Sequence, residues 1–587
     1  MEGKTINRLI KLLGSCHLED VASIRRLYSG DNMYHYDGVS VECGEIHKTT
    51  PEYVKFTLGF TLGMLGLDFC DRQLDTMTAD YCFRDFVIQT ETISLLKEHA
   101  TGKEKFTGKI YIHNPNQKIL PRTSAYISGG VLYISLTVRF PVLMASKRTV
   151  INGGPSVNII RKELCRAIRN FIRYFDVKEY KKNAAVYRRQ KEIRKMLGEK
   201  GLVSFLANGS ILPRSDRGLA LRGAVPFVSP PEDEIEMRFP DGYAIKGMGI
   251  KAGVTVITGG GYSGKSTLLD AILHGIYDHI PGDGREYCIT KQNVCKILAE
   301  DGRSVSSLDI SPFIRNVDNL NTDRFTTRHA SGSTSQAANI MEAIAYGCGA
   351  FLIDEDRTAT NFMIRDARMK KIIRDDPIVP FTDRVRQIYE DTKISTVLII
   401  GGSSEYLDLA DNVYIMKEFR ICNYNREVAA TRQNTFDFYT ADKEPVRWKT
   451  DRKIIKKPMM AFKKDEESDR IREYAAVTEE EIAVGVYRAN VSKLETVVSR
   501  QQMAAIAFII RRMFNKKENE LCLLDEIGGI YGEILENGFG ELYSGSFGID
   551  FNLELPAMHD ILFTLARMDD IAYDEAVNFA PISKIIE

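Results

Sequence analysis

Three short apolar runs, VTVIT (254–258), AFLID (350–354) and TVLII (396–400), are rich in β-branched residues and end in small or acidic ones. Stretches with helical spacing separate them, a pattern that predicts buried strands of a parallel α/β sheet with a ligand site at their carboxyl ends. Elsewhere the period changes. TSAYI, SGG and VLYISLTVRF (123–140) predict a β-hairpin, and residues 156–200 place apolar residues at helical spacing among many basic ones. The Pro/Gly/Ser-rich pieces LANGSILPRSDRG and FVSPPEDE then mark a boundary. The expected organisation is an α+β N-terminal domain at 1–224, an α/β domain at 225–425 and a mainly helical C-terminal domain at 426–587. Within the last, the basic stretch 447–464 reads as a linker.

Composition narrows the class. The 587 residues carry 79 Lys plus Arg and 79 Asp plus Glu, so the field of the whole molecule cannot attract a polyanion; any such affinity must be local. The ten cysteines form no C-x-x-C pair, which predicts small core residues in a reducing compartment. GFTLGMLGLDF, the most apolar candidate span, is too short and too interrupted to cross a bilayer. At the N-terminus, Lys4, Arg8 and Lys11 beside Ile6, Leu9, Ile10 and Leu13 could mimic a transit helix, but an ordinary surface helix is the reading kept.

The chemistry gathers around the first apolar run. Directly after it, Gly259, Gly260, Gly261, Tyr262, Ser263, Gly264, Lys265, Ser266 and Thr267 satisfy G-x-x-x-x-G-K-[ST] before a helical stretch. Glycines let backbone N–H groups converge on phosphate oxygens at the helix N-terminus. Lys265 would reach the β- and γ-phosphates, and Ser266 would be a ligand of Mg²⁺. The second run ends in Asp354, placed for the metal's water shell, and Glu355, placed to orient and deprotonate an attacking water. About twenty residues earlier, HASGSTSQAANIMEAIAYG opens a helix on Ser331, Gly332 and Ser333. Its N-terminus is a second anion site, whose natural use is to press onto a nucleotide held by a second subunit.

These strings resemble the signature motif, Walker B strand and D-loop of ABC-type ATPases. More narrowly, GMGIKAGVTVITGGGYSGKSTLLDAI, HIPGDGRE, DISPFI, ASGSTSQAANIMEAI, LIDEDRTATNFMIRD and ADNVYIM resemble the small family of predicted ATPases of the ABC class, nearly unbroken from about 200 to 416. The resemblance implies an ABC-type P-loop ATPase core using ATP and Mg²⁺, with Asp354 on the metal and Glu355 on the water. It also implies that Ser331, Gly332 and Ser333 touch the partner subunit's γ-phosphate, that Thr358 to Asn361 line the dimer seam, and that at least one relative binds RNA. Two departures slow the expected turnover. GGSSEY leaves Gly401, Gly402 or Ser403 where a switch histidine is expected, and LDISPFI offers only Asp309 or Ser311 for the Q-loop glutamine. His329 is a weak substitute for the histidine. Tyr243 is either an adenine-stacking residue or a strand tyrosine.

Between Arg161 and Lys200 stand fourteen Lys/Arg against five Asp/Glu, interleaved with Phe171, Tyr174, Phe175, Tyr180 and Tyr187. Such local charge can hold phosphates, with Arg188, Arg189, Arg194 and Lys195 as the named candidates, or it can be a solvated helix face. The reading is a slow, cytoplasmic, homodimeric ATPase whose closure acts on a nucleic acid, most naturally RNA. The alternative is a nucleotide-gated scaffold that binds ATP with little hydrolysis and assembles protein partners.

Overall fold

The parallel sheet expected from the three apolar runs forms in a computed structural model. The structure describes residues 4–45, 50–67, 71–94, 104–106, 108–145, 148–315, 321–365, 372–373, 376–431, 446–449, 452–464, 470–518, 520–540 and 552–574. Its strand order is Val294–Ile297, Ala350–Asp354, Ser395–Ile399, Val254–Gly259, Asn412–Lys417 and Arg420–Asn423. The first five run parallel and the last pairs antiparallel. Every residue of Ala350–Asp354 and of Ser395–Ile399 is buried, which explains why these runs are apolar throughout rather than alternating. Register then sets the site: Asp354 lies beside Ile399, and Ile399 beside Ile257, so the three strands end together.

The chain divides into two compact units, one of Met1–Arg188 with Ile534–Leu555, the other of Arg189–Glu533 with Pro556–Glu587. This partition differs from the three segments drawn at 224/225 and 425/426. Residues 189–224 and most of 426–587 belong with the parallel sheet, and the boundary falls inside the helix Val177–Glu199.

In the first unit Met33–Tyr36, Val39–Glu45, Tyr53–Thr61 and Val131–Arg139 pair antiparallel in that order. Ala125–Ser128 returns onto Val131–Arg139 across Gly129 and Gly130, the hairpin expected from sequence. Val54, Phe56, Leu58 and Phe60 point alternately into the core, where Phe83 and Phe86 of Asp75–Ser94 and Ile168 and Phe171 of Cys165–Tyr174 meet them. Phe171 lies edge-on to Phe60 at 5.1 Å and to Phe86 at 5.5 Å between ring centroids. Ile6, Leu9, Ile10 and Leu13 of the helix Ile6–Ser15 are buried in the same core, so their apolar spacing serves packing.

A distant segment is tied to this unit by charge. Glu554 accepts a hydrogen bond from Arg122 Nε at 2.6 Å and sits 3.0 Å from His113 Nε2, while Arg122 also pairs with Asp80. Burial opposes ionisation of Glu554, but His113 and Arg122 outweigh it and hold its carboxyl well below the usual range. Removing one partner of such a buried set leaves an uncompensated charge.

The described part of 426–587 is mixed, with short strands such as Glu481–Val484 and Tyr487–Asn490 beside the helices Arg500–Phe514 and Met558–Arg567. Nor is 447–464 a free linker in its described residues. Arg452 is fully buried with its guanidinium 3.9 Å over the Tyr573 ring, and Trp448 donates to Asp391 at 2.9 Å. The Gly-rich stretch of the C-terminal segment lies partly outside the described residues. Among the described residues no helix is long and apolar enough to cross a membrane.

One expectation about the cysteines is corrected. Cys295 and Cys348 are joined as a disulfide across 53 residues of sequence. Parallel pairing of Val294 with Ala350, and a hydrogen bond from the Gly349 amide to the Asn293 carbonyl at 2.7 Å, bring them together. No local spacing motif announces such a pair. The other described cysteines are free, as expected.

Candidate nucleotide site

The strand Val254–Gly259 turns into the helix Lys265–His274 through the glycine loop. Gly259 has φ +143°, and a Cβ there would stand 2.4 Å from the Met416 carbonyl oxygen. Gly264, at φ +100°, caps the helix in the left-handed region. Both glycines are therefore required by backbone shape. Lys265 Nζ donates to the carbonyls of Gly259 at 2.7 Å and Gly260 at 2.8 Å, which poises the ammonium over the loop. Gly260, Gly261 and the fully exposed Tyr262 form the outer lip of the loop, with the Ser263 side chain buried behind it.

Ser266 Oγ donates to Asp354 Oδ2 at 2.9 Å. A hydroxyl and a carboxylate so close, at the end of a buried strand, form an all-oxygen donor pair of the kind Mg²⁺ takes. The next residue is held separately. The Gly401 amide donates to Glu355 Oε2 at 2.6 Å and the Ser403 hydroxyl donates to Glu355 Oε1. Each carboxylate oxygen of Glu355 thus has one fixed donor, so the side chain is oriented before any substrate arrives. Sequence reading placed Gly401 and Ser403 where a switch histidine is expected but did not assign them this contact.

The helix Gly332–Ala345 begins on Ser331, whose hydroxyl accepts from the Thr334 amide at 3.4 Å. Ser331 is exposed. A Cβ on Gly332 would meet Asp301, Ala359 and Ala299. Ser333 donates to Asn361 at 2.9 Å, the Ala359 amide donates to Gln336 at 2.9 Å, and Thr358 Oγ1 donates to the Glu355 carbonyl at 2.6 Å. The helix start, residues 358–361 and Glu355 are consequently one hydrogen-bonded assembly. Sequence reading missed Gln336, whose contact with the Ala359 amide is visible only once the helix and the 358–361 turn meet.

The weaker candidates divide. Asp309 accepts from the Ser311 amide and hydroxyl and pairs with Lys449 at 3.1 Å, so neither residue is free for the Q-loop role. His329 is an exposed loop residue. Tyr243 is half exposed, with the Arg189 guanidinium 3.9 Å over its ring and Asp241 bridging back to Arg189.

Three of the four basic residues named as phosphate contacts are committed inside the chain. Arg188 pairs with Asp71, Arg189 with Asp241, and Arg194 with Asp278, leaving Lys195 exposed. Burial raises the Asp278 carboxyl, yet Lys191 and Arg194 overcome this and bring it down to about 2 from 3.8. Because the folded state lowers this pKa, the stabilisation is present above about pH 4 and is lost as pH falls through about 2. Asp278→Asn should therefore lower unfolding stability near pH 7 by about 3 kcal/mol, with the gap to wild type closing below pH 4. Denaturant melts across pH test this; a gap that persists undiminished at pH 2 would disprove the linkage.

The open basic face lies elsewhere. Arg166, Arg169 and Arg173 are exposed at helical spacing on Cys165–Tyr174, opposite the buried Ile168 and Phe171. Among the described residues none of the three makes an ion pair. Tyr174 is 59% exposed beside them, with the Arg173 guanidinium 5.5 Å from its ring.

Comparison with known proteins follows the same core. Residues 176–452 match the family model described as ABC_ATPase, P-loop domain. The uncharacterized protein MJ1628 of Methanocaldococcus jannaschii is 33% identical over 253 residues, 41% of this chain and 54% of that protein, so the match spans about half of the relative's length. Two solved structures are similar. One is cbiO1 from Clostridium perfringens, part of the ABC transporter complex cbiONQ, at 16% identity and TM-score 0.23, covering 34% of this chain and 89% of that one. The other is the ADP conformation of MJ1267, an ATP-binding cassette of an ABC transporter, at 15% identity and TM-score 0.23, covering 36% and 97%.

Proposed function

We propose that this chain, whose residues 176–452 match the ABC_ATPase P-loop domain model, hydrolyses ATP at sites completed by a second copy of itself and couples that closure to RNA. One observation carries the catalytic part: Ser266, Asp354 and a Glu355 clamped by Gly401 and Ser403 converge at one sheet edge beside the glycine loop. Ser266 and Asp354 would hold Mg²⁺, which when bound neutralises charge on the transferring phosphoryl group. Lys265 and the loop amides bind the phosphates; Gly401 and Ser403 orient Glu355; Glu355 takes the proton of the attacking water. Ser403 thereby supplies by a hydroxyl the positioning for which a histidine was expected.

The exposed Ser331 and the half-buried Gly332, which adjoin Ser333 and through it and residues 358–361 the Glu355 backbone, support a role against the nucleotide of the other copy. Such a link lets closure and the water-activating carboxylate influence each other. Phosphate release should require Mg²⁺ and fall to background with a chelator. ATP binding without any turnover would favour the scaffold reading instead.

For RNA, the proposed contact face is Arg166, Arg169, Arg173 and Tyr174, since Arg188, Arg189 and Arg194 are ion-paired within the chain. Three cations that make no ion pair among the described residues, and an exposed ring, fit the backbone and bases of a single strand. Changing Arg166, Arg169 and Arg173 to Gln should weaken RNA binding and reduce the log–log salt slope by roughly 0.7 per lost contact. Filter binding across a salt series measures this. Unchanged slopes would remove this face from the RNA proposal.

A further inference from the structure

Cys295, Cys348 and His559 form a cluster that the nucleotide chemistry does not use. Cys295 lies on the strand Val294–Ile297, Cys348 follows the helix Gly332–Ala345, and His559 opens the helix Met558–Arg567. All three are buried, and their two sulfurs and one imidazole nitrogen lie within 4.8 Å of one another. Two thiolates and an imidazole around a zinc ion, at roughly 2.3 Å and 2.1 Å from the metal, would stand slightly closer together than that limit. The donor set is soft, with no carboxylate, and suits zinc rather than magnesium. His559 Nε2 lies 3.1 Å from the Tyr346 carbonyl oxygen, the kind of backbone contact that fixes a ligating histidine's tautomer. Burial also favours its neutral form, which has a lone pair to give.

We infer that Cys295, Cys348 and His559 form a redox-gated site for a soft divalent cation of the Zn²⁺ class, loaded in the dithiol state and excluded when the disulfide closes. The steps balance. A small dithiol reductant gives two electrons and two protons to the Cys295–Cys348 bond, yielding two thiols and the reductant's own disulfide. The cation then displaces two thiol protons and binds two thiolates and the imidazole, with its fourth position left to a water. The site joins the far end of the helix that starts at Gly332 to the C-terminal helix carrying His559. Its occupancy would therefore bear on an element of the nucleotide site, although metal binding itself does not depend on the ATPase reading.

The test uses the full-length chain and Co²⁺ as a spectroscopic stand-in for Zn²⁺. After anaerobic reduction, titration should give one Co²⁺ per chain at this site, with thiolate-to-cobalt charge-transfer bands and tetrahedral visible bands that Zn²⁺ abolishes. The oxidised chain should show none of these. Cys348→Ser and His559→Ala should each weaken binding by at least about tenfold. Reduced wild type without thiolate–cobalt bands, or Cys348→Ser with the full wild-type spectrum, would overturn the proposal. Should the variants fail to fold, X-ray absorption of the zinc-loaded wild type decides: two sulfurs and one histidine nitrogen support the site, and any other ligand set refutes it.

Discussion

Replacing Glu355 by Gln should leave ATP binding intact and lower phosphate release by about 10² to 10⁴-fold, the span that a positioned general base contributes. Glu355 directly follows the buried strand that delivers Asp354, and both its oxygens are held, one by the Gly401 amide and one by the Ser403 hydroxyl. Glutamine retains the size but cannot take a proton from water. Ser403→Ala should be milder, about tenfold, because the Gly401 amide still orients the carboxylate and only one charge-assisted hydrogen bond is lost. The order of the two effects matters more than either size. A Ser403→Ala loss as large as the Glu355→Gln loss would mean that Ser403 does more than position, and undiminished turnover in Glu355→Gln would remove Glu355 from its role.

Gly332→Asp should abolish turnover nearly as completely while sparing the initial binding of ATP to the glycine loop. At the start of the helix Gly332–Ala345 a new carboxylate would face the γ-phosphate of the other copy. Two like charges about 4 Å apart repel by about 4 kcal/mol at an intermediate dielectric. Gly332→Ala is the matching control. Its Cβ would approach the Asp301 carboxylate at 3.1 Å, a side chain on an exposed residue that can yield, so its effect should be small. Nucleotide affinity and phosphate release, measured on both variants, separate charge from bulk. Equal losses in the Ala and Asp variants would point to packing rather than to an anion at that position.

The parts of this molecule legible in its sequence are those that are local. Gly259 to Thr267 lie in one continuous strand–loop–helix unit, and Glu355 follows a run, ending in Asp354, that is apolar because every residue of its strand is buried. Periodicity also revealed the hairpin at 125–139. What escaped depends on chain segments far apart. Ser403 meets Glu355 only because parallel pairing brings strand ends 395–399 and 350–354 together. Cys295, Cys348 and His559 come from three segments without a ligand spacing. Arg122 meets Glu554 across 432 residues, so no window of sequence could assign 534–555 to the first unit. The basic helix shows a different limit of sequence: Arg188, Arg189 and Arg194 find Asp71, Asp241 and Asp278 only in the fold, and charge density cannot distinguish a phosphate-binding face from one half of an ion-pair set. The same holds for Arg452, which reads as linker charge and folds as a buried stack on Tyr573.

The proposed site for each ATP lies between the glycine loop of one chain and the Ser331–Gly332 helix start of another. Mixing chains tests it most directly. Lys265→Ala and Gly332→Asp should each be inactive alone, the first through phosphate binding and the second through closure. In a heterodimer, one of the two sites would combine an intact glycine loop with an intact Gly332, so mixtures with proven subunit exchange should regain a measurable fraction of wild-type phosphate release. Mixtures that exchange subunits and remain as inactive as either variant alone would contradict a site shared between copies.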